Sequence, residues 1–168
     1  NVNQEMMNLK GELTDEEAVD EIHEADPRLV VFVVYGSEPN QGTTRMAGAV
    51  PLCNLLKQTY PEYKTCFCGS HTQALPLEVL SLPSVDFVLL NEGVRALRNL
   101  LASDLIDVKG IKGIGWKHED PFNYHRELNP PEAPVEHIAM GLTMPGMAWD
   151  LLPYKDKRLD TYRAHNWF

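Results

Sequence analysis

Thr65-Cys66-Phe67-Cys68-Gly69-Ser70-His71-Thr72-Gln73-Ala74-Leu75-Pro76-Leu77-Glu78-Val79-Leu80, followed by Val85-Asp86-Phe87-Val88-Leu89-Leu90-Asn91-Glu92-Gly93, is the stretch that decides the fold. Twice, a short apolar run stops at a glycine-bearing polar loop and gives way to helix-forming residues. Runs of this length bounded by turn residues suit buried strands. Upstream, the Val-rich run Leu29 to Tyr35 reads as a strand covered on both faces. It too ends in such a loop, Tyr35-Gly36-Ser37-Glu38-Pro39-Asn40-Gln41-Gly42-Thr43-Thr44. In an open parallel sheet, loops at the carboxyl ends of strands line the ligand crevice. Three of them on one sheet edge describe a domain that holds a large ligand by its backbone.

Helices fill the intervals. Thr14-Asp15-Glu16-Glu17 has the form of a capping box with acids in the first turn, and Ala18, Ile22 and Ala25 continue an apolar stripe until Pro27. Thr43 or Thr44 can cap a helix carrying Met46, Val50, Leu52, Leu55 and Leu56, in which Pro51 implies a kink or a late start. Pro76 to Leu80 reads as a short helix, and Gly93 to Ser103 as a longer one with Val94, Leu97, Leu100 and Leu101 inward. Alternating strands and helices predict an α/β fold, a doubly wound, flavodoxin-like or Rossmann-like parallel sheet with right-handed crossovers. The expected division is an α/β domain over 1–107 and an extension over 108–168. In the extension, Gly110, Gly113 and Gly115 punctuate a hairpin or edge strand. Half of the 12 prolines follow Asp120, which makes the rest irregular.

The chain has 168 residues, 43% hydrophobic and 23% charged, enough to bury a core. A formal net charge of -9 argues against nucleic-acid and anionic-membrane partners, since phosphates need a basic footprint. No apolar run approaches the roughly 20 residues that span a bilayer. Cys53, Cys66 and Cys68 form no disulfide framework and favour a reducing compartment, here read as the cytoplasm. Cys66 and Cys68 share one face of a strand and read as packed thiols; no metal site is expected. The start at Asn1 rather than Met suggests a piece of something longer.

Catalytic constellations are thin. There is no G-x-G-x-x-G, no G-x-x-x-x-G-K-[ST] and no G-x-S-x-G. Asp86 and Glu92 flank a strand, where a carboxylate serves as acid or base or, the better reading, caps a helix or binds a backbone N–H. The loops have a physical logic of their own. Gly36, Gly69 and Gly93 let a flat or bulky ligand approach the backbone. Ser37, Asn40, Gln41, Thr43, Thr44, Ser70 and Thr72 offer neutral hydrogen-bond partners, which suit an amide-decorated ligand better than a free polyphosphate. The same residues also make ordinary βα turns.

On these residues the chain resembles the N-terminal cobalamin-binding domain of B12-dependent radical S-adenosylmethionine enzymes. Cys68 to Leu80 is similar to that family's Gly-Gly-Pro-His-x-x-Ala-Leu-Pro-Glu-Glu-Val-Leu stretch. Val85-Asp86-Phe87-Val88 with Asn91-Glu92-Gly93 resembles its Val-Asp-x-Val-x-x-Gly-Glu-Gly segment. Val108-Lys109-Gly110-Ile111 through Trp116-Lys117 looks like its Lys-Gly-Ile strand. Ala148 to Pro153 and Tyr162 to Trp167 are similar to the linker ahead of the iron–sulfur core. The order and spacing of these pieces together are specific, and they cover most of the chain from about Thr14.

The resemblance implies a cobalamin ligand whose tail nucleotide lies along the sheet between the Gly36 loop and Gly69. It places Ser37, Thr43, Thr44, Ser70, Glu92 and Gly93 near corrin or tail, with His71 either touching the ligand or capping the following helix. Tyr35 is a candidate to shield the lower cobalt face. Two departures stand out: Cys68 replaces the first glycine of the usual pair, and no D-x-H-x-x-G places a histidine under cobalt, which implies base-off, His-off binding. The C-x-x-x-C-x-x-C that holds the radical cluster is absent, so S-adenosylmethionine and a [4Fe-4S] cluster would belong to a radical core of the parent chain. No catalytic residue is expected in this piece. Gly69→Val is expected to abolish corrinoid uptake and spare the fold. The rival readings are a degenerate Rossmann-like interaction platform docking through Trp149, Trp167 and Phe168, and a small hydrolase using Glu92 or His71.

Overall fold

In a computed structural model of the chain, residues 13–36, 41–118 and 125–136 are described. The chain divides into two units, Val2–Pro134 and a second made of Asn1 with Val135–Phe168. The architecture that follows belongs to the first.

Five strands form one sheet in the order β1-β2-β3-β4-β5. The first three, β1 (Val30–Val34), β2 (Thr65–Gly69) and β3 (Phe87–Leu89), run parallel, with Val34 beside Gly69 and Cys66 beside Phe87. The last two, β4 (Ile114–Lys117) and β5 (Arg126–Leu128), are antiparallel to their neighbours. The expected α/β fold is therefore present, and the Gly110–Gly115 segment does lead into a hairpin-like edge. The sheet is mixed rather than wholly parallel, because after β3 the chain passes through the helix over 94–102 and re-enters the sheet antiparallel to β3.

Side chains alternate across the sheet. Phe32, Val34, Phe67 and Val88 face one layer, formed by α1 (Asp15–Glu24), α2 (Gln41–Thr59) and α4 (Pro76–Ser81). There the Phe32 and Phe67 rings stack at 4.7 Å across β1 and β2. Cys66, Phe87 and Leu89 face the other layer, under α5 (Val94–Ala102) and with Val108, Ile111, Ile114 and Trp116. Covering β1 on both faces was expected; instead Val33 is 57% exposed while Phe32 and Val34 are buried. Among the described helices, α5 alone packs in that second layer, and it sits over β2 to β4.

Local signals explain the helices. Glu17 N donates to Thr14 Oγ1 at 3.2 Å, and Thr14 N donates to Glu17 Oε2 at 2.7 Å, the reciprocal pair of a capping box. Ala18 and Val19 are buried on α1, whereas Ala25, expected on the stripe, is the exposed C-cap. His23 stacks on Tyr60 at 4.0 Å with its Nδ1 2.9 Å from the Tyr63 hydroxyl, which clamps α1 to the end of α2. Pro51 neither delays nor ends α2, which runs through it from Gln41. Val94, expected inward, is 44% exposed.

The amino edge of the sheet is an ionic knot. Asp86 accepts from Thr65 N at 2.8 Å and meets Lys57 Nζ at 2.8 Å and Lys64 Nζ at 3.7 Å. Lys117 donates to the carbonyl of Leu82, the C-cap of α4, where a cation meets the negative helix end, and Arg126 donates to the carbonyl of Leu77 in the first turn of the same helix. Asp86 thus binds a backbone N–H, the structural of its two readings.

Candidate functional site

The carboxyl ends of β1, β2 and β3 carry the three glycine-bearing loops. Past β1, Tyr35 is 45% exposed and its carbonyl accepts from Arg45 Nη1 at 2.9 Å, which ties the first turns of α2 to the strand end. A Cβ on Gly36 would collide with the side chain of Gln41, so the loop returns close to its own start. Ser37, with residues 38–40, lies outside the described residues.

Gly69 ends β2 with φ 132° and ψ -178°, a conformation essentially reserved for glycine. A Cβ there would land on the carbonyl oxygen of Val34 in the neighbouring strand. This corrects the expectation that Gly69→Val spares the fold. The glycine lets β1 and β2 stay paired to their last residue.

A short helix, α3 (Ser70–Ala74), begins at once after Gly69 and was not anticipated. Its first turn meets α2 where Gly42 has no Cβ; one there would overlap Ser70 Oγ. Thr43 Oγ1 and His71 Nδ1 are 3.0 Å apart, closing the same seam. His71 does not occupy the cap of the helix that follows, whose N-cap is Leu75; its Nδ1 faces a hydroxyl. The Thr44 hydroxyl donates to Gln41 O at 2.9 Å, inside its own helix.

Two side chains at this seam stand out. Ser70 Oγ and Thr72 Oγ1 are buried with no hydrogen-bond partner, and Thr72 is wholly inaccessible. Buried hydroxyls are nearly always paired, so each orphan calls for a ligand, a water or a stored cost. A third orphan among the described residues, Ser84 Oγ, sits apart, next to the Cys53 and Thr65 side chains that donate to the Ser84 carbonyl.

The third loop is built from left-handed residues. Asn91 has φ 55° and Gly93 φ 69°; Gly93 occupies the N-cap position of α5. Asn91 Nδ2 donates to Glu132 O at 3.0 Å, which brings the segment after β5 back to this edge. Sequence reasoning passed over Gly42 and Asn91. A glycine in a first helical turn and an L-N-E-G strand exit were the available signals.

The described loops bring together Tyr35, Gly36, Thr43, Gly69, Ser70 and His71, with Glu92 and Gly93 one strand further along. The groups at the seam are neutral hydroxyls, an imidazole and bare backbone, and Tyr35 and Val94 add exposed apolar surface just past β1 and β3. Those groups offer neutral hydrogen-bond partners beside exposed apolar surface. As they stand, no three His, Cys, Asp or Glu side chains among the described residues converge to hold a metal ion.

Burial raises the thiols. Cys68 is pushed up to about 11 from the usual 9.0 by desolvation, and the fully buried Cys66 rises too. The Tyr35 hydroxyl rises as well, chiefly by desolvation and secondarily through Cys68. Because the folded thiol holds its proton more tightly than the unfolded one, its contribution to stability is present below pH 9 and falls as pH climbs toward 11. Iodoacetamide at neutral pH should leave the buried Cys53 and Cys66 unmodified in the folded chain, label the partly exposed Cys68 slowly, and label all three in urea. Rapid labelling of the folded chain would contradict this burial.

No protein-family model matches the chain, and no curated protein matches it. Among solved structures it is similar to the apo, selenomethionine-labelled cobalamin-dependent S-adenosylmethionine radical enzyme OxsB, with a TM-score of 0.50 at 14% identity. The match takes in 73% of this chain and 16% of that one, so this chain corresponds to a small part of the enzyme's length. At that identity the likeness is one of fold: a Rossmann-like α/β domain with helices alternating along the sheet.

Proposed function

We propose that this chain is a cobalamin-binding module that takes the corrinoid base-off and His-off, and that its parent protein joins it to a radical S-adenosylmethionine core. The observation that carries the reading is the pair of orphaned hydroxyls, Ser70 Oγ and Thr72 Oγ1, on one short helix at a glycine-lined seam. Support also comes from the motif resemblance over Cys68–Gly93 and from the fold shared with a cobalamin-dependent enzyme. The residues present fit such a group. Ser70 and Thr43 offer hydroxyls to amide and nucleotide edges, Thr72 adds one that is reached only if the seam opens, and Tyr35 and Val94 offer exposed apolar surface to the ring. When bound, cobalamin supplies a cobalt centre that carries a methyl group or assists a radical rearrangement; this chain's own residues bind, orient and exclude water.

Among the described residues, no helix is long and apolar enough to cross a membrane. Trp149, Trp167 and Phe168, which the interaction-platform reading would use, lie outside the described residues. The test is a visible absorption titration with hydroxocobalamin and methylcobalamin, followed by filtration to remove unbound ligand. The chain should retain one corrinoid with a base-off spectrum. A colourless protein at saturating corrinoid would remove the cofactor reading and leave the platform.

A further inference from the structure

The ribbon of β4 and β5, at the opposite edge of the sheet from β1, carries a second cluster of chemistry. Its register pairs Lys117 with Arg126, and the ladder continues one step, His118 N donating to His125 O at 2.9 Å. His118 and His125 are therefore directly opposed, and opposed residues of an antiparallel pair project from the same face. Glu127, two residues on from His125, shares that face. Its Oε2 lies 3.0 Å from His118 Nε2, and the two imidazole rings are 6.2 Å apart, centre to centre.

We propose that His118, His125 and Glu127 form a binding site for one divalent transition-metal ion. Two imidazoles and a carboxylate are a donor set of borderline softness, suited to zinc, nickel, copper or ferrous iron and not to magnesium or calcium. Ligand atoms around a tetrahedral zinc ion stand about 3.3 Å apart. The His118–Glu127 pair is already near that spacing. What keeps the three from converging is that His118 and Glu127 are engaged with each other while the His125 ring stands edge-on to His118, at 79°. His125 and Glu127 are exposed, and exposed side chains change rotamer in picoseconds to nanoseconds, so convergence needs no backbone movement. His118 is the preorganised member: its ring packs 4.2 Å from that of Trp116, whose indole N–H donates to Asn129 Oδ1 at 3.2 Å. A bound ion would cross-link β4 to β5 through their side chains, and so stabilise the ribbon at the edge of the sheet.

Zinc binding at the ribbon stands or falls independently of corrinoid binding. The chain, stripped of metal with a chelator, is titrated with zinc chloride by calorimetry, and its thermal midpoint is followed with and without zinc. The expected result is saturable uptake of one ion, a midpoint that rises with zinc concentration, and affinity reduced by at least about tenfold in His125→Gln and Glu127→Gln. These two variants are the decisive ones because both positions are exposed; His118→Ala also removes the packing on Trp116. Absence of saturable binding overturns the proposal. So does zinc affinity unchanged in both variants, which would place the ion on other ligands.

Discussion

Gly69→Val should cost about 3 kcal/mol or more of folding stability, lowering the thermal midpoint by about 10 °C, before any ligand is considered. The reason is a sum of two effects in the same place. At φ 132° and ψ -178° a side-chain-bearing residue is strained in itself, and its Cβ would occupy the position of the Val34 carbonyl oxygen. That oxygen belongs to the backbone of β1, so it cannot swing aside as a flexible side chain would; β1 and β2 must part at their last pair. Urea unfolding of the wild type and the variant measures the loss directly. A variant as stable as the wild type would mean that the strand end is looser than the register of Val34 with Gly69 implies. The same result limits the use of Gly69 as a probe of binding, since lost uptake and lost fold would arrive together.

Thr72→Val separates them. Valine keeps the shape of threonine and removes the hydroxyl, which in the ligand-free chain is buried and unpaired. Removing an unsatisfied buried hydroxyl should stabilise the free protein by about 1 kcal/mol. If a corrinoid satisfies that hydroxyl, the same change should weaken corrinoid binding by about tenfold, or about 1.4 kcal/mol. Opposite signs on stability and affinity are the signature of a group held in readiness for a ligand. Urea unfolding and the hydroxocobalamin titration, run on the same variant, report both. A variant that is less stable and binds as before would show that Thr72 already has a partner, such as a buried water, in the free chain.

The architecture was legible to a large extent because each element carries its own local signature. The capping box at Thr14 and Glu17, the alternation of short apolar runs with polar loops, and the glycine at the end of β2 all act within a few residues. Where that reading failed, the cause lay in neighbours distant along the chain. Leu29 to Tyr35 promised a strand covered on both faces, yet Val33 is exposed, because cover depends on where α5 lands. Pro51 suggested a kink or a late start, yet α2 begins at Gln41 and passes through it, with Met46 before it and Leu52, Cys53 and Leu56 after it buried and holding both halves.

The sequence by itself determined the kind of most elements, though not of α3 or β5, and the class of the fold, since burial periodicity and cap chemistry are written in adjacent residues. It also set the neutral, glycine-rich character of the loops at the carboxyl edge. Only the tertiary structure decided that Thr43 meets His71 across 28 positions, that Gly42 seats α2 on Ser70, and that Asp86 lies among lysines at the opposite edge. It alone turned β4 antiparallel and set His118 against His125. Such meetings depend on packing between segments far apart in the chain, and no local pattern of residues records which of several compatible surfaces will come together.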